Sequence, residues 1–127
     1  MQKHQLKEKA VQYLLMIYAN EQEMTALGQA ALSAMTNEYA EFTKSIVQAG
    51  HFKAGDRLKP VSTASTVRIR NGKTLVTDGP FAETREQLGG YYLVEAKNLD
   101  EALAIAARIP SAKLGSIEVR PIWTMGP

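Results

Sequence analysis

The residue best placed to move a proton in this chain is Asp78, in the run Thr77-Asp78-Gly79-Pro80-Phe81-Ala82-Glu83-Thr84. A carboxylate held on an apolar face has its charged form disfavoured, which raises its pKa and suits it to acid or base work near neutral pH. A second role is open to the same side chain, because Asp before Gly accepts backbone N–H groups and caps its own turn. His51 is the second candidate catalytic residue, as a base. It directly follows a helical stretch, where an imidazolium also favours the helix dipole. Arg68, Tyr91 and Arg120 are the candidate binding residues. An arginine lining a cleft grips a carboxylate through parallel N–H donors, and a tyrosine joins an apolar ring to a polar tip. His4 and His51 stand far apart and there is no cysteine, so no metal-ligand pattern forms and no cofactor is expected. Gly89-Gly90 is neither a phosphate loop nor a dinucleotide fingerprint; it marks a bulge or a close backbone approach.

Where Asp78 points depends on a hairpin. Thr66-Val67-Arg68-Ile69-Arg70 alternates, Asn71-Gly72 follows, and Lys73-Thr74-Leu75-Val76-Thr77 continues. Asn-Gly between alternating runs predicts a type I′ turn, whose two central residues both need positive φ. That turn sets Val67 opposite Val76 and Ile69 opposite Thr74. Alternation then carries Asp78 onto the same, more apolar face, toward a cavity.

The remaining elements follow from periodicity. Val11 to Ala19 is apolar in both alternating sets, which predicts a strand covered on both faces. Asn20 to Thr25 reads as a polar connection. From about Ala26 to Ala49, Met35, Tyr39, Phe42 and Ile46 recur at helical spacing, Gly50 ends the run, and Gly28 leaves room for a break. Phe52 begins a short strand, Gly55-Asp56 reads as a turn, and Pro60 interrupts pairing. Gly89 to Ala96 is a strand in which Tyr91 and Tyr92 face opposite ways. Asn98 and Glu101 form a capping box for a helix that buries Leu99, Ala102, Leu103, Ala106 and Ile109 and stops at Pro110. Ser116 to Trp123 is the last strand. Tyr13, Tyr91 and Tyr92 read as core residues with bonded hydroxyls, and Phe81 as a core or interface anchor.

This order is βαββαβ with an enlarged middle hairpin. It predicts an α+β fold: a ferredoxin-like sandwich of one antiparallel sheet with two helices on one face. The apolar second face of Val11–Ala19 then calls for a partner, most simply a second copy of the chain. Residues 1–10 read as an extension and 11–127 as a single domain, which suits a length of 127 residues. Fifteen basic and 13 acidic residues leave a net charge of +2, too balanced to advertise nucleic-acid binding. The apolar run Val11–Ala19 is too short to cross a bilayer. The lysine-bearing N-terminus has no signal-peptide pattern, and a cysteine-free chain suits a reducing cytoplasm.

At Asp78-Gly79-Pro80-Phe81 the chain resembles the YCII-related proteins, in particular their DGPF domain branch. Further matching blocks are Tyr13-Leu14-Leu15-Met16-Ile17-Tyr18, Glu86-Gln87-Leu88-Gly89-Gly90-Tyr91-Tyr92 and Gly115-Ser116-Ile117-Glu118-Val119-Arg120-Pro121-Ile122. The resemblance implies a ferredoxin-like fold that pairs into a dimeric α/β barrel. It also implies a pocket in which an Asp and a His stand together; Asp78 matches that Asp, and no histidine here matches a motif. Encoding beside extracytoplasmic-function sigma factors is a further implication. The expected function is a homodimer that binds a small molecule, with acid–base activity in a cleft near Asp78. The alternative is a non-catalytic regulatory or interaction module associated with such a sigma factor.

Overall fold

Two antiparallel sheets and three α-helices make up residues 10–123, the part of the chain that this computed structural model describes. The extension up to Lys9, with His4, lies outside the described residues, as do residues 124–127. In chain order the elements are β1 (Val11–Ala19), α1 (Glu21–Ala26), α2 (Gln29–Gln48), β2 (Phe52–Arg57), β3 (Ser65–Arg70), β4 (Lys73–Asp78), β5 (Gln87–Ala96), α3 (Leu99–Ala107) and β6 (Ser116–Pro121). The larger sheet has the order β2-β5-β1-β6, and β3 and β4 pair only with each other. The fold is α+β.

β1 is central because it pairs with β5 on one side and β6 on the other. Its Tyr13, Leu15 and Ile17 are buried with Tyr92, Val94 and Ala96 of β5. Phe42 and Ile46 of α2, Ala102, Ile105 and Ala106 of α3, and Ile109 complete that core. Both longer helices thus cover the same sheet face. The Tyr39 hydroxyl lies 2.7 Å from that of Ser111 and ties α2 to the 3₁₀ turn Pro110–Lys113. Burial pushes the Tyr39 pKa up, and the Ser111 bond offsets part of that rise.

Several local expectations need correction. Asn20–Thr25 is not a simple connection. The Asn20 side chain accepts the Glu23 N–H at 2.8 Å, and Glu21 and Glu23 complement the N-terminus of α1. A new helix starts after Gly28. Gly55-Asp56 is not a turn but the continuation of β2. In α3, Leu99 and Leu103 are exposed and Ile105 is buried. The helix turns its small Ala102 and Ala106 to the sheet, which permits close approach, and Ile105 and Ile109 fill the seam. The capping box at Asn98 and Glu101 forms as expected, with Glu101 N–H donating to Asn98 at 2.9 Å. Phe81 is exposed and not part of this core.

The glycine pair in β5 has two separate tasks. Ile17 pairs with Gly90 and Tyr18 with Leu88, so Gly89 is the extra residue of a bulge. Gly90 is a close-approach site: a Cβ there would lie 2.9 Å from the Asp56 carbonyl oxygen in β2. At Gly89 the nearest contact would be 4.0 Å away, at the Ile17 carbonyl oxygen. Gly90→Ala should therefore cost about 1–3 kcal/mol by forcing β2 from β5. Gly89→Ala should change stability by less than about 1 kcal/mol. Urea unfolding of both variants checks this, and equal midpoints would contradict it.

Candidate functional site

The sheet face opposite the helices has no cover within the described chain. Register places Asp56, Tyr91, Met16 and Glu118 in one row across β2, β5, β1 and β6. The next row is Ala54, Leu93, Leu14 and Arg120. Leu14, Met16 and Leu93 form a half-buried apolar centre. Charged groups stand at its margins: Arg120 is bonded to Glu118 on one side, and Lys53 lies 3.4 Å from Glu95 on the other.

The feature with chemistry on this face is a carboxylate–phenol pair. The Tyr91 hydroxyl donates to Asp56 Oδ2 at 2.7 Å. Neighbouring strands create the contact, because Asp56 and Tyr91 are cross-strand partners. Gly55 lets β2 lie in place. A Cβ there would stand 2.8 Å from the Tyr92 ring. That ring points to the core, edge-on to Phe42 at 5.2 Å between centroids, with its hydroxyl 2.6 Å from Thr43 Oγ1. Tyr92 is therefore structural, while Tyr91 presents its hydroxyl on the uncovered face.

The hydrogen bond to the Asp56 carboxylate raises the Tyr91 pKa above the ordinary value of 10.0, because losing the phenolic proton would set two negative groups together. Such a pair holds a proton at a defined oxygen and offers a carboxylate acceptor beside it.

The sequence-predicted residues fall into separate places. Tyr91 and Arg120 share the uncovered face. Arg68 is on the hairpin, half-buried, with its guanidinium donating to the Phe81 carbonyl oxygen at 3.4 Å. The hairpin register is the predicted one, with Val67 opposite Val76 and Asp78 opposite Ser65. Asp78 accordingly shares the Val67–Val76 face, but that face is exposed in the single chain and encloses no cavity. The turn after Asp78 is held by other groups: Gly79 N–H donates to Ala64 at 2.7 Å, and the Thr66 hydroxyl donates to the Gly79 carbonyl at 2.8 Å. His51 lies before the start of β2, with Nδ1 2.8 Å from the Glu95 carbonyl oxygen. That oxygen can only accept, so Nδ1 carries the proton. His51 and Asp78 share no hydrogen bond.

Asp56 was missed from the sequence because Gly55-Asp56 read as a turn. The available signal was Gly55 itself, since glycine inside a strand often marks close approach of a ring or backbone. On the helical side, an open groove of about 590 Å³ runs between α2 and α3. Arg108 lies over Phe42 there, 5.4 Å from the ring centroid, and is bonded to Ser45. Among the described residues no three His, Asp or Glu side chains form a metal-binding group, and no helix is long and apolar enough to cross a membrane.

Comparison with known proteins gives two findings. The profile of the YCII-related domain matches residues 11–126. An uncharacterised protein of Rhizobium meliloti (strain 1021) is 38% identical over 112 residues, spanning 87% of this chain and 90% of that protein.

Ultraviolet difference titration of wild type against Tyr91→Phe should place Tyr91 ionisation above the ordinary value of 10.0, and Asp56→Asn should bring it back down. The sign for stability follows from the raised value. The stabilisation is intact below the ordinary tyrosine pKa and is lost as pH climbs through the raised one. An unchanged titration in Asp56→Asn would mean that the pair does not persist in solution.

Proposed function

The chain belongs to the YCII-related family, and on that premise we propose that two copies pair through their uncovered sheet faces and bind a small molecule in the cleft between them. The order β2-β5-β1-β6, with α2 and α3 on one face, supports a ferredoxin-like sandwich. Two such sandwiches meeting sheet to sheet make a dimeric α/β barrel. The run Asp78-Gly79-Pro80-Phe81 supports the DGPF branch. A cytoplasmic location fits the cysteine-free composition.

The observation that carries the proposal is the composition of the uncovered face. An apolar centre rimmed by polar and charged groups is the anatomy of an interface that keeps a few polar groups for a ligand. Completing the burial of Leu14, Met16 and Leu93 contributes at most about 0.5–1 kcal/mol each, since most of each side chain is already covered. Asp56 and Tyr91 anchor the ligand, and Arg120 takes a ligand carboxylate in exchange for Glu118. Asp78 is the acid or base of a proton-transfer step of isomerase or lyase type. The alternative, a module acting with an extracytoplasmic-function sigma factor, would use the exposed apolar face of the β3–β4 hairpin. The two differ in whether that face is covered in the homodimer.

Sedimentation should show a dimer, and Met16→Asp should give a folded monomer with unchanged far-ultraviolet circular dichroism. In an NMR fragment screen, amide shifts should cluster on Met16, Tyr91 and Leu93. Asp56→Asn and Tyr91→Phe should each weaken the best fragment by about ten-fold. A monomeric wild type, or shifts confined to the α2–α3 groove, would defeat the proposal. Unchanged binding and turnover in Asp78→Asn would remove Asp78 from the chemistry.

A further inference from the structure

The β3–β4 hairpin is amphipathic and its apolar face meets nothing among the described residues. Val67, Ile69 and Val76 are 61%, 65% and 63% exposed, and Phe81, just beyond the hairpin, is 77% exposed. Register puts Ser65, Val67, Ile69, Thr74, Val76 and Asp78 on one face, and Thr66, Arg68, Arg70, Lys73, Leu75 and Thr77 on the other, where Leu75 is the one large apolar side chain. Strict alternation of this kind specifies a register when one face is buried. A two-stranded hairpin standing alone in water is marginal, and a contiguous apolar patch on a soluble chain marks a contact surface. Arg70 and Lys73 stand at the tip, where charge discourages edge-to-edge strand addition. The hairpin is therefore built to dock by its face and not by its edges.

We propose that β3–β4 is an arm exchanged between two copies of this chain: its Val67–Ile69–Val76 face packs on the second copy, and each cleft is closed by its partner's hairpin. The inference rests on sheet-to-sheet pairing and deepens it. Three observations select a second copy as the occupant. The first is continuity. Arg57, the last residue of β2, pairs with Gly90, and the next N–H, of Leu58, donates to Gly89 at 2.9 Å. The chain thus leaves the sheet at the Asp56–Tyr91 end of the uncovered face, and the Val61–Thr63 turn, whose Val61 N–H donates to Glu21 at 3.0 Å, leads from there into the arm.

The second is area. Four strands about 4.8 Å apart and six residues long, at about 3.3 Å per residue, give a footprint of roughly 19 by 20 Å. That is about half of the roughly 800 Å² per partner buried in a standard interface, so the sheet face alone falls short of one. The two strands of the arm enlarge the footprint by about half. The third is reach. Six residues per strand extend about 20 Å, enough to cross the width of a four-stranded sheet. Because Asp78 lies on the docking face, its carboxylate enters an enclosed setting only when the second copy is present.

Hydrogen exchange on the unmodified protein, read at concentrations above and below the dimer midpoint, tests this directly. The expected result is slow exchange of the β3 and β4 amides in the dimer and fast exchange on dilution. Val67→Thr/Val76→Thr keeps β-branched side chains and should raise the dimer dissociation constant by about ten-fold or more. Leu75→Thr, on the opposite face, should change it by less than about two-fold. A dimer whose hairpin amides exchange as fast as in the monomer, with an unchanged dissociation constant in Val67→Thr/Val76→Thr, overturns the arm and leaves the sheet pairing standing. A chain that stays monomeric at every accessible concentration overturns both. Protection that appears only on adding a different protein assigns the face to that partner and overturns the exchange.

Discussion

A strand that is apolar on both sides has to be covered twice, and β1 is such a strand. Tyr13, Leu15 and Ile17 meet α2 and α3, while Leu14 and Met16 of the same strand look the other way and stay half-buried. Among the described residues there is one helical layer against this sheet. The core of the single chain lies on one side of the sheet, and Asp56, Tyr91, Glu118 and Arg120 stand on the other. The division is set by the two-residue period of the strand, since a shift of one residue would exchange the faces.

The same period separates structure from chemistry within adjacent residues. Tyr91 and Tyr92 are neighbours in sequence, yet Tyr92 packs against Phe42 and Phe52 while Tyr91 bonds Asp56 on the uncovered face. Two glycines hold the β2 side of this arrangement. Gly55 yields space to the Tyr92 ring, and Gly90 yields space to the Asp56 backbone. The Asp56–Tyr91 pair is therefore positioned by groups on the opposite face of the same two strands.

What could be read in advance was what is locally encoded. Asn71-Gly72 adopts positive φ at both residues, 53° and 74°, and it fixes the whole hairpin register with no help from the rest of the chain. Asn98 and Glu101 likewise cap α3 within one turn. The failures are tertiary. Gly55 hints at a close approach, but a turn and a strand are told apart at Gly55-Asp56 only once Tyr92 is known to lie beneath it. Leu99 and Leu103 lose the inward face of α3 to Ile105 because alanines allow a closer approach to the sheet. Asp78 shows both limits together: its face was assigned correctly, and the presence or absence of a wall opposite that face is not a property of its own strand.

Asp78 stands exposed on the open face of the hairpin in the single chain. What would turn such a carboxylate into an acid or base of special strength is desolvation or a fixed neighbour, and both need a wall opposite its face. The same holds, less sharply, for Asp56: its bond to Tyr91 orients it, but the face around it is open to water. Low-dielectric surroundings, which make a few polar groups decisive, arise here only by covering that face. In the proposed homodimer, acid–base capacity would thus belong to the assembled pair and not to one copy. In the single chain the hairpin face carrying Asp78 and the sheet face carrying Asp56 both stand open, and only a covering layer gives either carboxylate a dry wall.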